Sequence, residues 1–203
     1  MESAGFVSNE MVQIMWGKIL GKEFEEPGST PANMIRILSE ITPTYAQAFR
    51  KICSMQVVIV ELNEDDTIKS ASQDILVPYS KNIEKFNELK LTFSVFNELE
   101  TLGLIKLNTI NNYVATGIIE KNVLLYVDGE TLEIEATGKS TMPSGNVMLT
   151  AAGRCLKNIT PTEMVEGYLE LVKKHMNGGQ IKLKENSEYR ITKEGNMIQC
   201  EKI

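Results

Sequence analysis

Two Gly-Lys pairs come closest, by residue type and spacing, to a site that could bind a phosphate group. Gly138-Lys139-Ser140 matches the end of a phosphate-binding loop, but that motif needs another glycine five positions earlier, where this chain has Glu133. The motif also needs a helix after the serine, and a Pro-Ser-Gly segment soon follows instead. Gly21-Lys22 is followed by Glu23 and lies inside a helical pattern. We therefore predict a solvated loop at Gly138-Lys139-Ser140 and no nucleotide site at either Gly-Lys pair.

The other side chains with catalytic or metal-binding chemistry are isolated in the sequence. His175 is the only histidine, which excludes a histidine-based triad or a multi-histidine metal site within one chain. Its place in the last turn of a predicted helix favours a structural role, because an imidazolium there interacts well with the helix dipole. Cys53, Cys155 and Cys200 lack a neighbouring histidine or basic cluster, so we expect unreactive thiols in a reducing compartment. We predict no enzymatic activity, no metal and no cofactor.

Charge and composition limit the class of protein. Of 203 residues, 42% are hydrophobic and 24% are charged, which is typical of globular proteins, and the net charge of −6 disfavours nonspecific attraction to nucleic acid. The acidic pairs Glu25-Glu26 and Asp65-Asp66 are expected on the solvated surface. No apolar run approaches the roughly 20 residues of a membrane-spanning helix, and the first ten residues lack a signal-peptide pattern. We expect a cytoplasmic protein with no membrane contact.

Three helical patterns occupy the first 60 residues. Ser8 can cap the first, and Thr30-Pro31 and Thr42-Pro43 begin the others, because proline in the first helical position loses no hydrogen bond. The apolar residues of the first helix form one broad face that should pack on more than one neighbour: Met11, Val12, Ile14, Met15, Trp16, Ile19 and Leu20. The third helix has a buried stripe: Ala46, Phe49, Cys53, Val57 and Val60. We predict a small helical domain over residues 1–60.

Beyond residue 60 the pattern becomes mixed. Residues 61–74 are polar and acidic and predict a loop or linker. Residues 75–203 combine helices and short strands, with β-rich runs around the turn pair Asp128-Gly129 and two or three strands in the tail. The remaining signals are helix caps: Gly103 after one helix, Thr150 before another, and the capping box Thr160-Pro161-x-Glu163 before a third. The sequence predicts an α+β fold.

The order of elements after residue 90 resembles a winged helix. “LETLGLIKL” and the later “VMLTAAGRCL” predict a helix ending at glycine, a strand, a hairpin wing, and Leu-Thr leading into another helix. The helix that would enter a DNA groove carries Glu98 and Glu100 and has no Lys or Arg from Leu91 to Leu102. We therefore expect residues 75–203, a winged-helix-like α+β domain with a β-hairpin wing and C-terminal strands, to contact proteins.

A longer stretch carries a second resemblance. It consists of “VSNEMVQIMWGKILGKEFEEPGS” and the following “ILSEITPTYAQAFRKIC”, and it resembles a bacterial family called domain of unknown function 2806. The family-motif positions in the first part include Trp16, Gly17, Glu23, Pro27, Gly28 and Ser29, and those in the second half are Gly103, Leu104, Leu149, Thr150 and Gly153. The chain departs from the family at Gly21-Lys22, where Ala-Gly is usual, and at Asn33, where Arg is usual. Losing that arginine weakens the case for an anion site at the second helix.

A weaker likeness links the first part to Abi-alpha proteins of phage abortive infection. Together the resemblances imply an accessory, defence-related bacterial protein and no established activity. Two hypotheses follow. The first is a non-enzymatic interaction or regulatory module that contacts a protein partner or itself. The alternative is a nucleic-acid-binding winged-helix protein whose basic residues converge in space: Lys106, Lys121, Lys139, Arg154 and Lys157.

The end of the first helix gives a structural hypothesis. Glu23 opposes the helix dipole there, so its carboxylate should accept hydrogen bonds. The expected donor is the N-terminus of the next helix, across the Pro27-Gly28-Ser29 turn.

Overall fold

The computed structural model describes residues 3–116, 123–135, 141–177, 181–194 and 197–203. In chain order the described helices and strands are α1 (Ser3–Glu25), α2 (Met34–Glu40), α3 (Pro43–Ser54), β1 (Gln56–Leu62), β2 (Ile68–Ile75), α4 (Ile83–Glu88), α5 (Phe93–Leu102), β3 (Ile105–Leu107), β4 (Tyr113–Thr116), β5 (Val123–Val127), β6 (Glu130–Glu133), β7 (Thr141–Gly145), β8 (Val147–Leu149), α6 (Ala151–Lys157), α7 (Tyr168–Asn177), β9 (Tyr189–Glu194) and β10 (Met197–Lys202). The predicted α+β class is confirmed.

The chain divides into two compact units that interleave along the sequence. Unit 1 combines Met1–Ser54, Ile83–Leu107 and Val147–Val165, and unit 2 combines Met55–Asn82, Asn108–Asn146 and Glu166–Ile203. This division differs from the predicted boundaries at residues 60 and 75. The difference arises because the long-range pairing of β3 with β8 brings two distant stretches together, and no local pattern encodes that pairing.

Unit 1 consists of helices α1–α6 and the two-stranded β3–β8 sheet. Its core is filled by large side chains that are almost fully buried: Met15, Met34, Ile37, Phe49, Ile52, Phe86, Phe96, Leu99 and Leu156. Phe86 and Phe96 lie with ring centroids 6.1 Å apart, which joins α4 to α5. The core therefore draws on all three sequence stretches of the unit.

Five motif residues meet where β3, β8 and α6 join, and we call them the Thr150 cluster: Gly103, Leu104, Leu149, Thr150 and Gly153. Thr150 Oγ1 accepts from Gly153 N–H at 3.0 Å and donates to Gly103 O at 2.6 Å, so it caps α6 and fixes the end of α5. Gly103 has φ +86, the left-handed cap conformation predicted for it. A Cβ on Gly153 would lie 2.0 Å from Leu104 O, so only glycine fits there.

Unit 2 is built on a four-stranded antiparallel sheet with the order β2-β1-β5-β6. The predicted turn at Asp128-Gly129 is confirmed, since both residues have positive φ and β5 pairs with β6 across it. The β9–β10 hairpin packs on the sheet through one apolar cluster: Val58, Val60, Leu62, Leu124, Tyr189 and Ile191. Tyr168 O–H donates to Met55 O at 2.7 Å, which ties α7 to the sheet.

Two predictions for residues 43–74 were wrong. The third helix ends at Ser54, and the apolar run that contains Val57 and Val60 is the buried strand β1. The predicted linker 61–74 mostly forms the end of β1 and most of β2, joined by a turn in which Asn63 N–H donates to Thr67 O at 2.8 Å. A short apolar run cannot be assigned to helix or strand by periodicity alone, and the polar strand β2 lacks alternation.

The predicted helix starts were also wrong at three places. Ser8 lies inside α1, and α2 begins at Met34 rather than after Thr30. The capping box at Thr160 does not form, because Thr160 Oγ1 donates to Leu156 O and α7 begins only at Tyr168. The errors at Thr30 and Thr160 share a cause, since a capping sequence also suits a turn.

The β5–β6 hairpin, which was predicted to be the wing, belongs to the four-stranded sheet of unit 2.

Candidate functional site

The loop after α1 folds back onto the end of that helix. Glu23 Oε1 accepts from Gly28 N–H at 2.6 Å, and Oε2 accepts from Thr30 N–H at 2.9 Å. The Gly28 hydrogen bond, then that of Thr30, lowers the pKa of the Glu23 carboxyl below its ordinary value. The predicted acceptor role of Glu23 is thus seen, but its donors lie in the loop rather than at the N-terminus of α2. Pro27, Gly28 and Ser29 therefore shape a turn.

The inner side of α1 packs on unit 1. Met15 and Ile19 are buried, and Trp16 is half-buried beside them. Lys18, at the border between the inner and outer sides, donates through Nζ to Ile159 O at 3.2 Å, and Glu23 closes the following loop, so polar contacts hold the helix as well. Contacts within unit 1 therefore account for the burial of the inner side of α1.

The opposite side of α1 presents apolar residues to solvent, and we call it the outer face: Ile14, Gly17, Leu20, Gly21 and Phe24. These positions recur every three or four residues, so they lie on one side of the helix. Ile14 is 50% exposed, Leu20 57% and Phe24 89%. The prediction that Ile14 and Leu20 pack inside the chain was wrong.

The two glycines of the outer face do not serve packing within the described chain. A Cβ at Gly17 or Gly21 would meet no described atom within 4 Å outside its immediate helix neighbourhood. Glycine inside a helix is less stable than alanine by roughly 0.5–1 kcal/mol, so each glycine costs stability that folding of unit 1 does not require. Between Ile14, Leu20 and Phe24 the glycines leave notches into which large side chains fit.

The basic residues of the nucleic-acid hypothesis are distributed over several elements. Lys106 is exposed on β3, where it pairs across the sheet with the exposed Met148. The Arg154 guanidinium donates to Leu149 O at 2.9 Å, which places it against the Thr150 cluster. Lys157 is half-buried one turn further along α6. Lys121 and Lys139 lie outside the described residues, as does the whole Gly138-Lys139-Ser140 segment.

Helix α5, the groove-facing helix of the winged-helix hypothesis, has a polar outer side without cations. Ser94, Asn97 and Thr101 are exposed on it, and the apolar Phe93 is exposed at its start. Glu100 turns back toward its own unit, where its carboxylate accepts from Leu107 N–H at 3.0 Å. A helix surface without cations gives little attraction to phosphates.

The cysteines and the histidine occupy apolar or half-buried places. Burial raises the pKa of the Cys53 thiol to about 12, so this thiol stays protonated. Cys155 and Cys200 are half-buried, and burial also raises the pKa of Cys200. His175 is buried in the last turn of α7, the position predicted for it.

Acidic side chains take structural roles in unit 2. Asp66 accepts from Tyr189 O–H at 2.6 Å, and this bond lowers the pKa of the aspartate below its ordinary value. Glu133, at the position where a phosphate-binding loop needs glycine, is buried at one edge of a polar cavity of about 400 Å³. It contacts the ammonium of Lys184 and accepts from Glu188 N–H. The Glu133 carboxylate is therefore held by donors of its own unit.

Two general properties concern the described part of the chain alone. Among those residues, no group of three or more His, Cys, Asp or Glu side chains could hold a metal ion. None of the helices in the described ranges combines the length and the apolar character that crossing a bilayer requires.

A family model described as “Protein of unknown function (DUF2806)” matches residues 1–173. The chain belongs to this family. The resemblance predicted from the Trp-Gly and Pro-Gly-Ser segments is confirmed, whereas the comparisons show no likeness to Abi-alpha proteins. Neither a curated protein nor a solved structure matches the chain. The DUF2806 match includes α1, the loop after it and the Thr150 cluster, and it ends inside α7.

The outer face of α1 is the feature that reading the sequence missed. Its apolar residues were interpreted as core because apolar spacing alone does not tell which sides of a helix find neighbours. Gly17 and Gly21 could have indicated this face, because two glycines four residues apart weaken a helix and therefore suggest a role other than helix stability. The candidate site is therefore the exposed apolar outer face of α1.

Proposed function

We propose that this chain is a non-enzymatic protein-interaction module and that the outer face of α1 binds a helix of the partner. The carrying observation is the exposure of Phe24 at 89% and Leu20 at 57% beside two open glycines. Large apolar side chains exposed together on one helix side mark contact surfaces.

The energetics favour a helical partner. Fully burying a Leu, Ile or Phe side chain contributes roughly 1.5–3 kcal/mol, so covering the exposed parts of Ile14, Leu20 and Phe24 is worth about two such increments. Glycine notches let a partner helix approach closely, which increases the number of dispersion contacts along the pair. An extended peptide would gain less, because a helix offers no unpaired backbone groups along its side.

Within unit 1, the order α3–α4–α5–β3–β8 supports a winged-helix-like assignment. The wing would then begin at the β3–β8 pair, since the Asp128 hairpin lies in unit 2. The polar outer side of α5 favours protein contact over DNA contact. Nucleic-acid binding stays the alternative hypothesis, and a role in phage defence stays a prediction from resemblance.

Site-specific photo-crosslinking in the native host tests the proposal. A photoreactive phenylalanine analogue replaces Phe24, and in a matched control it replaces Ile35, which is 62% exposed on α2. We expect irradiation to join a protein to position 24 and not to position 35. Protein adducts at position 24 no more abundant than at position 35 would contradict the proposal.

A mobility-shift titration with duplex DNA tests the alternative. Binding that requires the basic residues should weaken steeply as salt increases, because phosphate contacts release counterions. The interaction-module proposal expects no shifted complex even at low salt. Tight, salt-sensitive binding that is lost in Lys106→Ala would favour the nucleic-acid hypothesis instead.

A further inference from the structure

We infer that the outer face of α1 binds the same face of a second copy of this chain, with the two helices antiparallel about a two-fold axis between Leu20 and Gly21. The inference rests on the proposed function, because it names the partner for that surface. It commits to one register, which size and charge complementarity both support.

Size complementarity defines the register. An antiparallel pair centred between residues 20 and 21 places Phe24 opposite Gly17 of the partner subunit. Leu20 lies next to the axis, beside Leu20 of the partner subunit. The Phe24 contact joins one large apolar side chain to one open glycine, and two-fold symmetry repeats it in reverse. A parallel pair would instead stack like against like, with Phe24 beside the partner's Phe24 and empty notches between.

Charge complementarity supports the same register. Lys18 and Glu25 are exposed and lie seven residues apart, so they flank the outer face on one side. The two-fold axis turns this flank toward itself, which brings Lys18 near Glu25 of the partner subunit and Glu25 near the partner's Lys18. Lys18 Nζ already donates to Ile159 O, but an ammonium has three donors and also accommodates a carboxylate. The antiparallel arrangement also opposes the two helix dipoles.

The length of the face indicates a modest affinity. In this register the outer faces overlap over residues 17–24, about 10 Å along the helix, so the pair buries less than the roughly 1,600 Å² of a standard interface. We therefore expect a dimer that dissociates on dilution in the micromolar range.

Sedimentation equilibrium of the full chain from about 1 µM to about 500 µM tests the inference. We expect a monomer–dimer equilibrium that Phe24→Asp weakens by at least about tenfold, because a charge replaces a buried anchor. Gly17→Leu should weaken it similarly by filling the notch, without strain in the monomer. Ile35→Asp, a matched change at an exposed residue of α2, should leave the equilibrium unchanged.

The charged flank and a cross-link test the register itself. Lys18→Glu and Glu25→Lys should each weaken the dimer, and the double variant should restore it, since the pair is reformed with opposite sign. Leu20→Cys lies beside the two-fold axis and should form a covalent dimer under mild oxidation. Ile35→Cys provides the control for disulfides formed on random encounter, above the background of the native cysteines.

A chain that stays monomeric over the whole range would overturn the inference, as would a dimer insensitive to Phe24→Asp. The proposed function fails separately. If the chain is monomeric but position 24 cross-links to a different protein in the host, the second copy is the wrong partner and the contact surface stands. If position 24 cross-links to nothing, the contact surface itself is wrong.

Discussion

The outer face of α1 and the Thr150 cluster both contain glycines, but the chain uses those glycines differently. At Gly153 the chain's own backbone fills the space, because a Cβ would lie 2.0 Å from Leu104 O. At Gly17 and Gly21 the space is open, with no described atom within 4 Å. Glycine in the cluster is required for folding, whereas glycine on α1 is costly for folding and has a purpose only if another molecule occupies the space.

Gly153→Ala is the change with the largest expected effect on this comparison. The added methyl group must displace Leu104 or the start of α6, so we expect a loss of about 3 kcal/mol in the free energy of unfolding. Chemical denaturation monitored by circular dichroism measures it. Gly17→Ala, the same substitution on α1, is the matched control. Equal stability of the two variants would show that both glycines sit in open space and would remove the distinction.

Thr150→Val separates hydrogen bonding from shape in the Thr150 cluster. Valine keeps the volume but removes the hydroxyl that accepts from Gly153 N–H and donates to Gly103 O. We expect a loss of about 1–2 kcal/mol, as for other lost helix caps. Thr101→Val, which removes an exposed hydroxyl bonded to Asn97 O, should change stability by less than about 0.5 kcal/mol. Similar losses at both sites would mean that the cap does not hold the cluster.

The Thr150 cluster and its neighbours were largely predictable from sequence. Gly103 as a left-handed cap, the strand after it and Thr150 as a helix cap are signals that depend on a few adjacent residues. The Asp128-Gly129 turn is also a local signal of this type. Where one residue type performs one local task, reading the sequence succeeds.

The interleaved units and the β1–β2 hairpin were not predictable in the same way. Strand β1 follows α3 without a break in apolar character, and β2 exposes nearly all of its side chains, so no period marks either one. Their partners lie elsewhere in the chain, and β5 pairs with β1 only after more than 60 residues. The exposure of the outer face was not predicted for a related reason, because exposure depends on which other elements of the fold pack against a helix.

Gly17→Ala and Gly21→Ala test whether the two glycines of α1 lie in open space. Alanine lowers the backbone entropy of the unfolded chain and fits the open space, so each change should stabilise the monomer by roughly 0.5–1 kcal/mol. Thermal denaturation at concentrations where the chain is monomeric measures this gain. A loss of stability at either position would mean that the glycine serves the fold of unit 1, contrary to its surroundings.

Glu23→Gln has the smallest expected effect and tests whether Glu23 anchors the loop that follows α1. The hydrogen bonds from Gly28 and Thr30 lower the pKa of Glu23 in the folded chain, so ionised Glu23 stabilises the fold above its ordinary pKa of 4.5. This stabilisation is lost as pH falls through the lowered folded-state pKa. We therefore expect Glu23→Gln to lower the melting temperature near pH 7 and the difference from wild type to shrink below about pH 4.5. Glu26→Gln, three residues along the same exposed segment, is the control. A Glu23→Gln melting temperature equal to wild type at pH 7 would show that the loop needs no anchor, and the whole end of α1 would then be available to a partner.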